Sequence, residues 1–217
     1  MDQDAFTAVD AYLVEALLDR DEILDQALSD ARAAGLPMIN VAPNQGKLLA
    51  MLAELVGARR ILEIGTLAGY SAIWMARALP PDGVIVTLER EERHATLARR
   101  YITRAGLASV VDVRQGRALD ILPSLDGQEF DLVSLDADRA PIATYYDWAM
   151  RLVRVGGMIV AHNVLLGGRV ADQASRTDDE DLRAVRAFNA RVAGDHRATS
   201  ILVPAYDGFI VAVVNSR

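Results

Sequence analysis

Apolar positions along the chain fall into helical stripes at its start and into short runs alternating with such stripes thereafter. Phe6, Val9, Tyr12, Leu13, Ala16 and Leu17 recur at helical spacing across residues 4–19. A second helix is expected over 21–34, stopped by Gly35 and Pro37. Residues 37–46 read as loop, and the helix that follows ends at Gly57. Strands and helices then take turns. Apolar, β-branched runs at 61–64, 84–89, 110–115, 130–136 and 158–161 have the character of strands buried on both faces. Helices are expected between them over 71–79, 91–104, 118–122 and 142–153. A polar stretch at 163–178, long enough to be a functional loop, precedes a helix over 179–192. Strands at 198–203 and 209–214 end the chain, and the short link between them makes that pair antiparallel. The pattern predicts an α/β, doubly wound, mostly parallel sheet of seven strands with helices on both faces and an antiparallel ending. A single domain over 1–217 is expected, with 1–36 as a helical appendage to a core over 37–217.

Composition narrows the classes. Hydrophobic residues make up 52%, enough for a packed core, yet no apolar run reaches the ~20 residues that span a bilayer. The acidic Met1-Asp2-Gln3-Asp4 is unlike a signal peptide, and the absence of cysteine removes disulfide, thiolate and zinc-thiolate chemistry. A cytoplasmic protein without a membrane partner is expected. Net charge of −7 argues against a nucleic-acid partner.

Candidate chemistry gathers at Ile61-Leu62-Glu63-Ile64-Gly65-Thr66-Leu67-Ala68-Gly69-Tyr70-Ser71, a strand, a glycine turn and a helix start. That geometry brings ligands against backbone N–H groups. No Lys follows Gly69, so a P-loop is excluded, and the glycine spacing is not the dinucleotide fingerprint. Glu63 would repel pyrophosphate but suits a cationic ligand such as S-adenosylmethionine. Ligands in such sheets bind beyond the carboxyl ends of the strands. The second strand ends at Glu89, close to the ~20-residue offset at which an acid meets a ribose diol. The third ends at Gly116-Arg117-Ala118, the fourth at Asp136-Ala137-Asp138-Arg139, the fifth at His162-Asn163. Asp136, His162 and Asn163 together offer donors suited to a divalent metal. His94 and His196 read as surface residues.

From about Asn40 to Val214 the chain resembles the cation-dependent S-adenosylmethionine O-methyltransferases, the group that includes the caffeoyl-CoA and catechol enzymes. The resemblance rests on Leu62-Glu63-Ile64-Gly65-Thr66 with Gly69-Tyr70-Ser71, Asp131-Leu132-Val133 with Leu135-Asp136-Ala137-Asp138, Gly156-Gly157, and Pro204 with Asp207-Gly208. It implies a Rossmann-like class I methyltransferase sheet and a homodimer, with the N-terminal helices a candidate interface. It also implies S-adenosylmethionine held by Val41, Glu63, Gly65, Thr66, Gly69, Tyr70, Ser71, Glu89, Arg117, Ala118 and Asp136. A metal (Mg, Mn or another transition metal) would lie on Asp136, His162 and Asn163, and the catalytic set would be His162, Asp136 and Arg139.

The chain departs from the family pattern in three places. His162 stands where the family has a carboxylate, Arg139 where it has a lysine, and Ile142 where it has a tyrosine, although Tyr145 matches the next tyrosine. Arginine stays charged and cannot be a base. Imidazole in the metal shell favours Mn²⁺, Ni²⁺ or Zn²⁺ over Mg²⁺ or Ca²⁺. Three outcomes follow: an altered metal preference, a metal-free site with His162 as general base, or a site that has lost catalysis. The expected reaction is methyl transfer to a hydroxyl of a small catechol-like or phenolic acceptor, whose pocket the 165–178 loop and the N-terminal helices would shape. The rival classes are an NAD-dependent oxidoreductase and a binding protein that keeps the cofactor pocket alone.

Overall fold

The computed structural model describes residues 3–172 and 179–217, so the 173–178 part of the expected functional loop lies outside the described residues. The chain runs α1 (Gln3–Leu17), α2 (Glu22–Ala33), α3 (Pro43–Leu55), β1 (Arg60–Ile64), α4 (Tyr70–Arg77), β2 (Val84–Glu89), α5 (Glu92–Arg104) and β3 (Val111–Gln115). It continues through α6 (Ala118–Ile121), β4 (Phe130–Leu135), α7 (Ile142–Leu152), β5 (Val153–His162), α8 (Glu180–Ala193), β6 (Ala198–Val203) and β7 (Phe209–Val214). Seven strands form one sheet in the order β3-β2-β1-β4-β5-β7-β6. β7 is antiparallel to both β5 and β6, and the pairs among β1 to β5 are parallel.

Strand parity divides the core. Leu62, Ile64, Val86, Leu88, Val133, Leu135, Ile159 and Ala161 face α6, α7 and α8. Ile61, Ile85, Leu132, Met158 and Val160 face α2, α3, α4 and α5. Both faces are covered, which is why these strands read as near-continuous apolar runs. Among the described residues no helix is long and apolar enough to cross a membrane.

Local chemistry sets the helix ends. Asp21 caps α2 by accepting from the Ile23 and Leu24 N–H groups at 3.1 and 3.0 Å. α3 starts at Pro43, inside the stretch expected to be loop, because proline suits the first helical position and Gln45 reaches back to the Ala42 N–H at 3.0 Å. β5 begins at Val153, well before the expected 158, since Val153 pairs with Phe130 ahead of a register shift near Gly156-Gly157. α2 buries Leu24, Ala27 and Ala31. Its Asp21 pairs with Arg77 of α4, and its Asp30 accepts the Tyr101 hydroxyl of α5. The second helix is therefore seated on α4 and α5.

Candidate active site

The order of the sheet changes direction at β1, which is flanked by β2 on one side and β4 on the other. Beyond the carboxyl ends of these strands lies a cleft of about 870 Å³ lined by Gly65, Leu67, Glu89, Gly116 to Leu119, Asp136 to Pro141, Tyr145 and Asn163. It sits where the crevice of an open α/β sheet is expected.

Parity also places a buried polar row on the α3–α5 face. Register pairs Glu63 with Thr87 on one side and with Ser134 on the other. Glu63 is 1% exposed. Its Oε1 accepts the Ser71 hydroxyl at 2.5 Å and its Oε2 accepts the Thr87 hydroxyl at 2.5 Å. Burial pushes the Glu63 carboxyl up to about 7; the Ser71 and Thr87 bonds oppose this, and the charges of Asp136 and Glu89 reinforce it. The carboxylate lies behind Ser71, one layer beneath the cleft.

The turn itself requires its glycines. Gly65 has φ +99°, and a Cβ there would overlap the Asp136 carbonyl oxygen. Gly69, at φ +81°, caps α4. Leu67 takes φ +49° and is held by Glu89, whose Oε2 accepts from the Leu67 N–H at 2.8 Å and the Thr66 N–H at 3.3 Å. A recess of about 40 Å³ opens between this turn and Asp136, lined by Gly65, Thr66, Tyr70 and Ser71 and roofed by Ile39, Asn40 and Val41.

At the other end of the cleft, Glu89 Oε1 accepts from the Glu91 N–H at 2.8 Å. His94 Nδ1 stands 3.4 Å from the same carboxylate and lines the cleft, which corrects the expectation of a surface residue. His196 is exposed, as expected. Arg117 caps α6, and Ala118 and Arg117 both line the cleft. Tyr145 donates to Asp138 Oδ1 at 2.7 Å. Burial first, then the Asp138 bond, pushes its phenol well above the usual range.

Asp136, Arg139 and Asn163 line the cleft, Asn163 in the left-handed region at φ +54°. His162 is 2% exposed and lies against Gln45, Leu49 and Phe209 on the α3 side. Its Nε2 is 3.4 Å from Ser134 Oγ, and its Nδ1 is buried without a partner. Burial lowers the ring's proton affinity; Asp136 opposes this and Arg139 adds to it. Arg139 Nη1 donates to the Ala137 carbonyl at 2.9 Å. Among the described residues no group of three or more His, Cys, Asp or Glu could hold a metal. Asp136 and Asn163 line the cleft, whereas His162 lines neither the cleft nor the recess, so the three expected donors do not share one opening; a carboxylate, an amide and an imidazole would suit a borderline divalent cation better than a hard one.

The structure thus brings Gly65, Thr66, Tyr70, Ser71, Val41 and Asp136 around one recess and Glu89, Arg117 and Ala118 along the cleft that continues from it. Thr87, Ser134, His94 and the Asp138–Tyr145 pair were not singled out in the sequence as site residues. Thr87 and Ser134 left a signal, since each is a polar residue inside an apolar strand and register places both beside Glu63.

The fold is Rossmann-like, with an open cleft beyond the strand tips at the point where the strand order changes direction. A family pattern described as O-methyltransferase matches residues 15–214. The chain is 43% identical to the catechol O-methyltransferase of Niastella koreensis, with 99% of this chain and 100% of that protein covered. It is 45% identical to the catechol O-methyltransferase of Mycobacterium tuberculosis, covering 95% and 94%. Among solved structures, the O-methyltransferase TomG of Streptomyces achromogenes, involved in tomaymycin synthesis and solved in complex with SAM, superposes with a TM-score of 0.91 at 45% identity over 100% of both chains. The chain belongs to the O-methyltransferase family, and it is an enzyme that transfers a methyl group to oxygen.

Proposed function

We propose that the enzyme transfers the methyl group of S-adenosylmethionine to a phenolic hydroxyl of a small, catechol-like acceptor, assisted by a divalent cation. One observation carries the reading: Asp136 is a wall shared by the glycine-turn recess and the large cleft, so donor and acceptor would meet across one carboxylate. The names of the similar proteins support both the donor and the acceptor class.

In this reading the methionine end of the donor occupies the recess under Val41, against Ser71 and the Gly65–Gly69 turn. Glu63, behind Ser71, and Glu89 balance its positive charge, and Glu89 takes the ribose diol. Methyl transfer needs the attacking oxygen in line with the departing sulfur, so the main task of these residues is orientation. A phenol with pKa near ~10 is mostly neutral at pH 7, and its anion is the better nucleophile. Asp136, His162 and Asn163 would hold the cation, which supplies Lewis-acid stabilisation of that anion. Arg139, always charged, neutralises the oxyanion and takes no proton.

A second reading is favoured by the unpartnered, buried Nδ1 of His162: that nitrogen accepts the acceptor's proton and no metal is needed. A third, a cofactor-binding protein without turnover, keeps the recess alone. Methylation assays on a panel of catechols, with EDTA and with Mg²⁺, Mn²⁺, Ni²⁺ or Zn²⁺ added back, separate the three. Turnover lost in EDTA and restored best by a transition metal is expected. Turnover indifferent to EDTA selects the His162 base, and no product with any cation or acceptor overturns the reading. The homodimer rests on the resemblance and the cytoplasmic location on composition, and sedimentation of the purified chain tests the first.

A further inference from the structure

We propose that Ser134 is a positioning residue for His162, its hydroxyl accepting the Nε2 proton and leaving Nδ1 as the nitrogen that carries the lone pair. The inference rests on the reading of His162 as part of the group that activates the acceptor.

Ser134 and His162 are 1% and 2% exposed, on neighbouring strands and the same face of the sheet. Register pairs Ser134 with Val160, so His162 lies diagonally from it, one step nearer the strand tips. The two side chains meet at 3.4 Å through Oγ and Nε2. The hydroxyl belongs to the buried polar row that Glu63 and Thr87 share on this face, within a strand whose Leu132, Val133 and Leu135 are buried and apolar. Burying it without a partner would be unfavourable, and among the described residues His162 is the side chain that meets it.

A neutral imidazole carries one N–H, and the surroundings select which nitrogen bears it. With the proton on Nδ1, a buried N–H would have no acceptor, which is unfavourable. With the proton on Nε2, Ser134 accepts it and Nδ1 is left with a bare lone pair. Buried acceptors are left underused more often than buried donors. Only a lone pair can ligate a cation or accept a proton. Ser134 therefore acts on either version of the acceptor chemistry, at one remove from the reacting atoms, as the partners of metal-binding histidines do.

The test is NMR of the full-length protein with ¹³C,¹⁵N-labelled histidine. The chain has three histidines, so the ring spectrum is simple, and His162→Ala assigns the signal. The expected result is a His162 ring protonated on Nε2 in the wild type, a loss of that bias in Ser134→Ala, and its return in Ser134→Thr. In the same variants kcat falls about tenfold for Ser134→Ala, recovers in Ser134→Thr, and the affinity for S-adenosylmethionine stays unchanged. A wild-type ring protonated on Nδ1, or a tautomer that Ser134→Ala leaves as it was, overturns the inference. Full turnover in His162→Ala overturns the reading of the site instead, and with it any effect of Ser134 on catalysis.

Discussion

Glu63 shows how one buried carboxyl makes folding depend on pH. Its value of about 7 lies above the 4.5 of a free glutamate. Below pH 4.5 the group is protonated whether the chain is folded or not. Between pH 4.5 and 7 the unfolded chain releases the proton while the folded chain keeps it, so stability falls as pH rises through that window. The full effect is on the order of 3 kcal/mol. Glu63→Gln is expected to remove this slope from denaturant titrations run across the window. The same variant should weaken S-adenosylmethionine about tenfold and leave the uncharged-sulfur product S-adenosylhomocysteine nearly unaffected, as read by calorimetry, since one partly screened charge pair is worth about 1.4 kcal/mol. Glu63, Glu89 and Asp136 were legible in the sequence because strand period and the glycine turn fix where each strand ends. His94 was not, because its approach to Glu89 depends on how α5 rolls onto β2, which no local pattern records.

At the scale of elements, Asp131 is a joint between three segments. Its Oδ2 accepts from the Arg59 and Arg60 N–H groups at 2.8 Å each, and its Oδ1 accepts from Arg154 Nε at 2.6 Å. Burial works against its charge, but the Arg154 bond and the two backbone donors outweigh this and hold its carboxyl below the usual 3.8. The stability it contributes is therefore present above pH 3.8 and lost as pH falls through the lowered value. Asp131→Ala should cost about 2 kcal/mol in chemical denaturation at pH 7 and leave cofactor affinity unchanged, because the joint is at the opposite end of β1 from the recess. The N-terminal helices divide in the same way. α1 meets α3 through a Lys47 bond to the Leu17 carbonyl, whereas α2 is buried at Leu24, Ala27 and Ala31 and leads into the Ile39–Val41 roof. Deleting residues 1–20 is expected to keep cofactor-induced thermal stabilisation, and deleting 1–36 to abolish it. Sequence periodicity revealed both helices; where the second is seated was not legible, since the contacts that hold it come from α4 and α5, far along the chain.

The whole molecule is a sheet whose two faces are sealed by helices and whose strand tips are left open for chemistry. Alternating strands and helices, with a short final hairpin, made this architecture legible from the sequence. The early start of β5 was hidden because Gly156-Gly157 interrupt the apolar run from which the strand was read, while the structure places them within the strand at an irregularity. If the recess is the donor site, S-adenosylmethionine at a hundred times its Kd should add about 2.7 kcal/mol, a rise in Tm of roughly 5–10 °C, and NADH should add none. The account depends on buried acids that answer the donor's positive charge, and calorimetry of S-adenosylmethionine binding at pH 6.5 in two buffers of different ionisation enthalpy reads this directly. The predicted result is a buffer-dependent heat that reports proton release in the wild type and disappears in Glu63→Gln. Equal heats in both buffers, with an affinity that Glu63→Gln does not change, would contradict it.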